Sequence, residues 1–116
     1  MNIEELRTIC LALPGATEDI KWGNDLCFLV GAKMFAITSA SPTLEFSCSL
    51  KCDPETFARL IERENIEPAA YIGRYHWISV KTADALTKKE WRERIEASYE
   101  QVFAKLPTKV KRSIQP

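Results

Sequence analysis

The segment Arg74-Tyr75-His76-Trp77 places a cation, two large rings and the only histidine of the chain within four consecutive residues. An aromatic ring beside an arginine on a solvent-facing strand can stack nucleic-acid bases, at about 1–3 kcal/mol per base. The same residue types also suit a core strand whose tryptophan fills a large interior space, so both readings of Trp77 stand. His76 reads as a surface or hydrogen-bonded histidine in preference to a catalyst. Trp22, in Lys21-Trp22-Gly23, either covers its own turn or lines a groove with Trp77. Lys33 falls at the tip of the tightest hairpin, the shape of a wing that reaches a phosphate backbone. Lys51 follows an alternating run and precedes a helix-capping aspartate, which sets its ammonium near a strand end. The candidate nucleic-acid-binding residues are therefore Lys33, Lys51, Arg74, His76, Trp77 and Trp22.

Catalytic and metal chemistry find little support. No phosphate loop, dinucleotide fingerprint or G-x-S-x-G elbow occurs. Adjacent carboxylates such as Glu18-Asp19 point to opposite faces of a strand and cannot share a substrate. A dyad of His76 with a cysteine is the one enzymatic arrangement left open, and no catalytic residue is assigned. The four cysteines, Cys10, Cys27, Cys48 and Cys52, lack the paired C-x-x-C spacing of a zinc site. With no signal peptide at Met1-Asn2-Ile3-Glu4-Glu5, they are expected as free thiols in a reducing cytoplasm. Cys10 and Cys27 sit in apolar settings, where cysteine acts as a small hydrophobe. No metal and no cofactor is expected.

The elements that must position these residues follow from periodicity. Residues 2–12 form a helix capped by Asn2 with Glu5 in a capping box, and Ile3, Leu6, Cys10 and Leu13 make its apolar stripe. Residues 18–22 alternate as a strand with Ile20 and Trp22 on one side. The runs 26–30 and 33–38 flank Gly31-Ala32, which predicts an antiparallel hairpin with a type II′ turn. Ser39-Ala40-Ser41-Pro42 reads as a further turn. Residues 43–50 alternate, with Leu44, Phe46, Cys48 and Leu50 inward. Asp53-Pro54-Glu55 opens a second helix with Phe57, Leu60 and Ile61 buried. Residues 65–73 read as a loop. Residues 74–81 read as a fifth strand, with Tyr75, Trp77 and Ser79 on one face. Thr87 caps a last helix whose stripe is Trp91, Ile95, Tyr99, Val102 and Leu106. The residues after Pro107 read as a frayed basic tail. The order α-β-β-β-β-α-β-α predicts an α+β fold, an antiparallel sheet of about five strands with helices on one face.

Composition sets the outer limits. The chain has 116 residues, 46% of them hydrophobic and 28% charged, which suits one globular domain over residues 1–116 with a short tail at 107–116. No apolar run approaches the roughly 20 residues of a membrane helix, so no membrane partner is expected. Sixteen basic and sixteen acidic residues cancel, which excludes a strongly basic binder. The halves differ: residues 1–72 carry six basic and eleven acidic residues, and residues 73–116 carry ten and five. Lys105, Lys109, Lys111 and Arg112 crowd the end without an acid among them. Such asymmetry suits either a solvated face or a patch that tracks phosphates.

Leu13-Pro14-Gly15, Lys21-Trp22-Gly23, Phe28, Lys33-Met34-Phe35, Leu50-Lys51 with Asp53-Pro54-Glu55, His76-Trp77 and Ser98-Tyr99 form an ordered series across residues 6–103. In this series the chain resembles the MmcQ/YjbR family of small bacterial proteins. The resemblance implies a CyaY-like α+β fold and DNA binding through a double-wing arrangement, and it brings no catalytic residues. The first helix holds only Glu4 and Glu5 as acids, so a frataxin-like acidic ridge for iron is not expected. The expectation is a monomeric nucleic-acid-binding module with DNA as partner. The alternative is a protein- or small-ligand-interaction module built on the open sheet face.

Overall fold

A computed structural model describes residues 1–41 and 43–115. Helix α1 (Ile3–Leu11) begins where Asn2 accepts the Glu5 N–H at 2.8 Å. Strands β1 (Thr17–Lys21), β2 (Asp25–Val30) and β3 (Lys33–Ser39) follow as a meander. Then come β4 (Cys48–Lys51), α2 (Pro54–Leu60), β5 (Ile66–Pro68), β6 (Trp77–Val80), α3 (Lys88–Ala104) and α4 (Thr108–Ile114). The strands form one six-stranded sheet in the order β1-β2-β3-β4-β6-β5, and every neighbouring pair is antiparallel. The α+β architecture is the predicted one, with one strand more.

Register assigns each face. The row Phe28–Ala36–Leu50–Ile78 runs across four strands and enters the core, where α1 and α3 cover it. The stripe predicted for α3 is buried throughout: Trp91, Ile95 and Tyr99 are inaccessible, with Val102 and Leu106 nearly so. The adjacent row, Cys27–Ile37–Ser49–Ser79, faces away from the helices. Between Phe28 and Leu29 the β2–β3 register slips. This bulge lets consecutive Phe35 and Ala36 both reach the interior, where Phe35 meets the edge of the Tyr99 ring at 5.4 Å.

Several elements depart from the sequence reading. The β2–β3 turn has positive φ at Gly31 (56°) and at Ala32 (66°), the pattern of type I′, not type II′. The strand expected over 43–50 is only Cys48–Lys51. Thr38 Oγ1 donates to Ser47 O at the end of the ladder, leaving Leu44 63% exposed and Phe46 packed edge-on against Trp91. The turn expected at 39–42 ends at Pro42, outside the described residues. The loop expected over 65–73 contains β5, an edge strand short enough to end in Pro68. The strand expected over 74–81 begins only at Trp77. Gly73–Tyr75 form a 3-10 turn and His76 is left-handed (φ 67°), because β4 turns into α2 after Lys51 and leaves Arg74 and Tyr75 no partner strand. The basic end, read as a frayed tail, forms α4 over Thr108–Ile114, while Pro116 lies outside the described residues. A Cβ on Gly31 would meet Leu106 at 2.7 Å and Val110 at 3.2 Å, and one on Gly15 would meet Ile114 at 2.8 Å. The two glycines thus seat the apolar side of α4.

Candidate functional site

Three strand ends and one helix end meet beside the open sheet face. Lys33 starts β3 directly after the turn, Lys51 ends β4, and Trp77 starts β6 as the register partner of Lys51. The last turn of α3 and the corner into α4 add Val102, Lys105, Leu106 and Pro107. With Met34 they line an open hollow of about 320 Å³. Its floor is apolar, its cations are three lysines, and no carboxylate lines it. Among the described residues none of these lysines makes an ion pair.

Lys51 is the most constrained of the three. Its Nζ donates to Tyr75 O at 3.1 Å, so the 3-10 turn holds the ammonium while two of its N–H donors remain free. Its backbone N–H donates at 3.0 Å to Ser98 Oγ, which in turn donates to Phe35 O at 2.6 Å. Burial, and then the charge of Lys105, depress the Lys51 ammonium below its usual value. A partly buried ammonium with a second cation near it and no carboxylate in the lining is a site suited to an anion.

The six residues singled out from sequence divide. Lys33, Lys51 and Trp77 come together in this hollow. Trp77 is only 8% exposed and serves as its floor, so little of the indole is offered as a stacking surface. Trp22 is 70% exposed and left-handed (φ 51°), and it lines a second hollow of about 630 Å³ on the same sheet face. Met34 borders both hollows, which makes them neighbours. The second contains Asp25 and a Glu67–Lys81 pair at 3.6 Å, and Tyr71 stands beside it 96% exposed. Arg74 and His76 line neither hollow. The Arg74 guanidinium lies 4.9 Å from the Tyr75 ring centroid, and the His76 ring meets Phe57 edge-on at 5.4 Å.

Lys105 and Ser98 were missed as site residues. In the sequence Lys105 stands out only as part of the basic end, and Ser98 only as part of the family series. Nothing local marks either, since each acts on residues more than forty positions away.

The cysteines are all buried and unpaired. Burial pushes the Cys48 thiol up to about 12 and the Cys52 thiol up to about 11. No group of three or more His, Cys, Asp or Glu side chains suited to a metal occurs among the described residues. No described helix is long and apolar enough to cross a membrane.

The model of the YjbR family matches residues 11–101, a span that holds Trp22, Lys33, Lys51, Trp77 and Ser98. The chain belongs to the YjbR family. Among solved structures, this YjbR protein is similar to the Deinococcus radiodurans protein DR2400, a DUF419 domain. The identity is 25% and the TM-score 0.87, over 97% of this chain and 87% of that one. It is also similar to a Pseudomonas syringae protein at 22% identity and a TM-score of 0.73, over 88% of this chain and 99% of that one. No curated protein matches it. The match stops at residue 101, so Lys105 and α4, which complete the hollow and its surroundings, lie beyond the span that carries the family pattern.

Proposed function

We propose that this YjbR protein binds nucleic acid, with DNA as the expected partner, at the end of its sheet beside the corner between α3 and α4 and onward over the open sheet face. The observation that carries the reading is the meeting of Lys33, Lys51 and Lys105, drawn from three distant parts of the chain, around a hollow with no acid in its lining. Exposed Lys109 and Arg112 stand on α4, whose Val110 packs toward Gly31, two residues from Lys33. Cations grouped in this way track phosphates, although the net charge of the whole chain is zero. Trp22 and Tyr71, on the neighbouring hollow, supply ring surface for unpaired bases. The role is binding and not catalysis, in a monomer that needs no cofactor.

The test is titration of single-stranded and duplex DNA at several salt concentrations, read by tryptophan fluorescence. Neutralising three phosphates gives a log–log salt slope of about −2 for single strands and about −3 for duplex. Lys51→Ala is expected to reduce that slope by about one contact. Absence of binding at about 50 mM salt, where phosphate contacts are strong, overturns the reading. The apolar floor of the smaller hollow favours a second reading, a module for a small anionic ligand. Binding of such a ligand without any binding of DNA would establish it.

A further inference from the structure

Phosphates along a nucleic-acid backbone need only surface cations. The hollow between Lys33, Lys51 and Lys105 is instead a shallow concavity, floored by Met34, Trp77 and Leu106 and about 320 Å³ in volume. That is the small end of the range for ligand pockets. Its charge is also in excess for a backbone contact. Three lysines line one space, whereas an internal phosphodiester carries a single negative charge. A terminal phosphate monoester carries about −1.5 to −2 at neutral pH, because its second pKa is about 6.

We propose that this hollow recognises the phosphorylated end of a nucleic-acid strand, with the terminal phosphate among the three lysines and the strand leading away past Met34. The inference rests on the nucleic-acid reading and refines it. The Lys51 ammonium, depressed by burial and then by the Lys105 charge, fits, since a dianion offsets both. Continuity fits as well: Met34 borders the larger hollow, so the next nucleotides can pass toward Trp22 and Tyr71.

The experiment compares single-stranded DNA oligomers of one sequence with the full chain at about 50 mM salt. The probes carry a 5′-phosphate, a 3′-phosphate or hydroxyl ends, or are closed into a circle, and adenosine monophosphate is added as a competitor. One phosphorylated end is expected to bind about tenfold more tightly than the circle, and the arm that does so names the end. The preference should fade below about pH 6, as the monoester gains a proton. It should also vanish in Lys105→Ala, an exposed position where the fold is not at risk. Equal binding of circle and phosphorylated linear strands overturns end recognition and leaves the nucleic-acid reading intact. If no strand binds, whether or not adenosine monophosphate does, both readings fall.

Discussion

Ser98 Oγ stands 3.0 Å from the backbone nitrogen of Lys51 and takes its hydrogen bond, although 47 residues separate the two. The same hydroxyl gives its own proton to Phe35 O at 2.6 Å. One buried oxygen of α3 thereby ties the bulged start of β3 to the end of β4. These strand ends carry Lys33 and Lys51, so Ser98 sets the spacing of the hollow's cations from behind the sheet.

Replacing Ser98 with alanine is expected to leave a buried N–H and a buried carbonyl unpaired. Each such group costs about 1–3 kcal/mol, partly recovered by relaxation, so urea unfolding should show a loss of about 2 kcal/mol. DNA affinity should fall as well, because Lys51 is no longer fixed. Ser98→Thr keeps the hydroxyl and should retain more of the binding than Ser98→Ala. Unchanged stability in Ser98→Ala would remove this bridge from the account.

Burial and the nearby Lys105 charge make the Lys51 ammonium sensitive to pH. The folded pKa of Lys51 lies below its unfolded value through burial and the Lys105 charge. Between those two values the unfolded chain binds more protons, so this group makes the fold more stable as pH rises through that window. Anion binding works in the opposite direction, needing the charged form and weakening over the same rise. Lys105→Ala should move the Lys51 titration upward, as read by NMR of its side-chain nitrogen. No movement would mean that the two ammonium groups do not share one site.

The fold could be read from the sequence wherever local pattern and local chemistry agree. The α3 stripe from Trp91 to Leu106, the Asn2, Asp53 and Thr87 caps and the β2–β3 pairing all rest on neighbours within a few residues. Misreadings arose where a distant partner decides. Arg74 and Tyr75 have strand-like composition, but β4 ends at Lys51 and offers them nothing to pair with. Only Val110 and Ile114 give α4 an apolar side, and the glycines that receive them lie at positions 31 and 15. The site was half legible for the same reason. Lys33 and Lys51 show themselves as strand-end cations, whereas Lys105 joins them only through the tertiary path of α3.

Gly31 joins the fold to the hollow in a way that mutation can probe. Its φ is 56°, and an added Cβ would fall 2.7 Å from Leu106 Cδ1. Gly31→Ala should therefore cost about 1–2 kcal/mol for the left-handed backbone, plus the displacement of Leu106 from the hollow's wall. The melting temperature should drop by several degrees, and DNA affinity should fall with it. Gly23→Ala provides the contrast. Its φ of 88° brings backbone strain, but nothing lies within 4 Å of its Cβ position, so stability should drop with little effect on the hollow. Equal losses of the preference for a phosphorylated end in both variants would argue against the coupling.

Acid acts on the fold at a pair far from the lysines, Arg63 and Glu90. Arg63 Nη1 donates to Glu90 Oε2 at 2.7 Å, and the Thr87 N–H donates to Glu90 Oε1 at 2.9 Å. The Arg63 hydrogen bond first, and the Thr87 backbone donor next, hold the Glu90 carboxyl down to about 2. A carboxyl lowered on folding stabilises the fold above its unfolded value and loses that contribution as pH falls through the folded one. The window therefore runs from about 4.5 down to about 2. Glu90→Gln should be less stable than the parent by about 1 kcal/mol at neutral pH, a modest figure because the pair is partly exposed. Glu18 and Asp53 are depressed too, by Arg7 and by the Thr56 backbone respectively, so the parent's acid sensitivity has more than one source. The difference between parent and Glu90→Gln isolates this one. Measured by urea unfolding across that range, it should shrink toward zero as pH falls, and a gap that stays constant would show that Glu90 acts through packing and not through its charge.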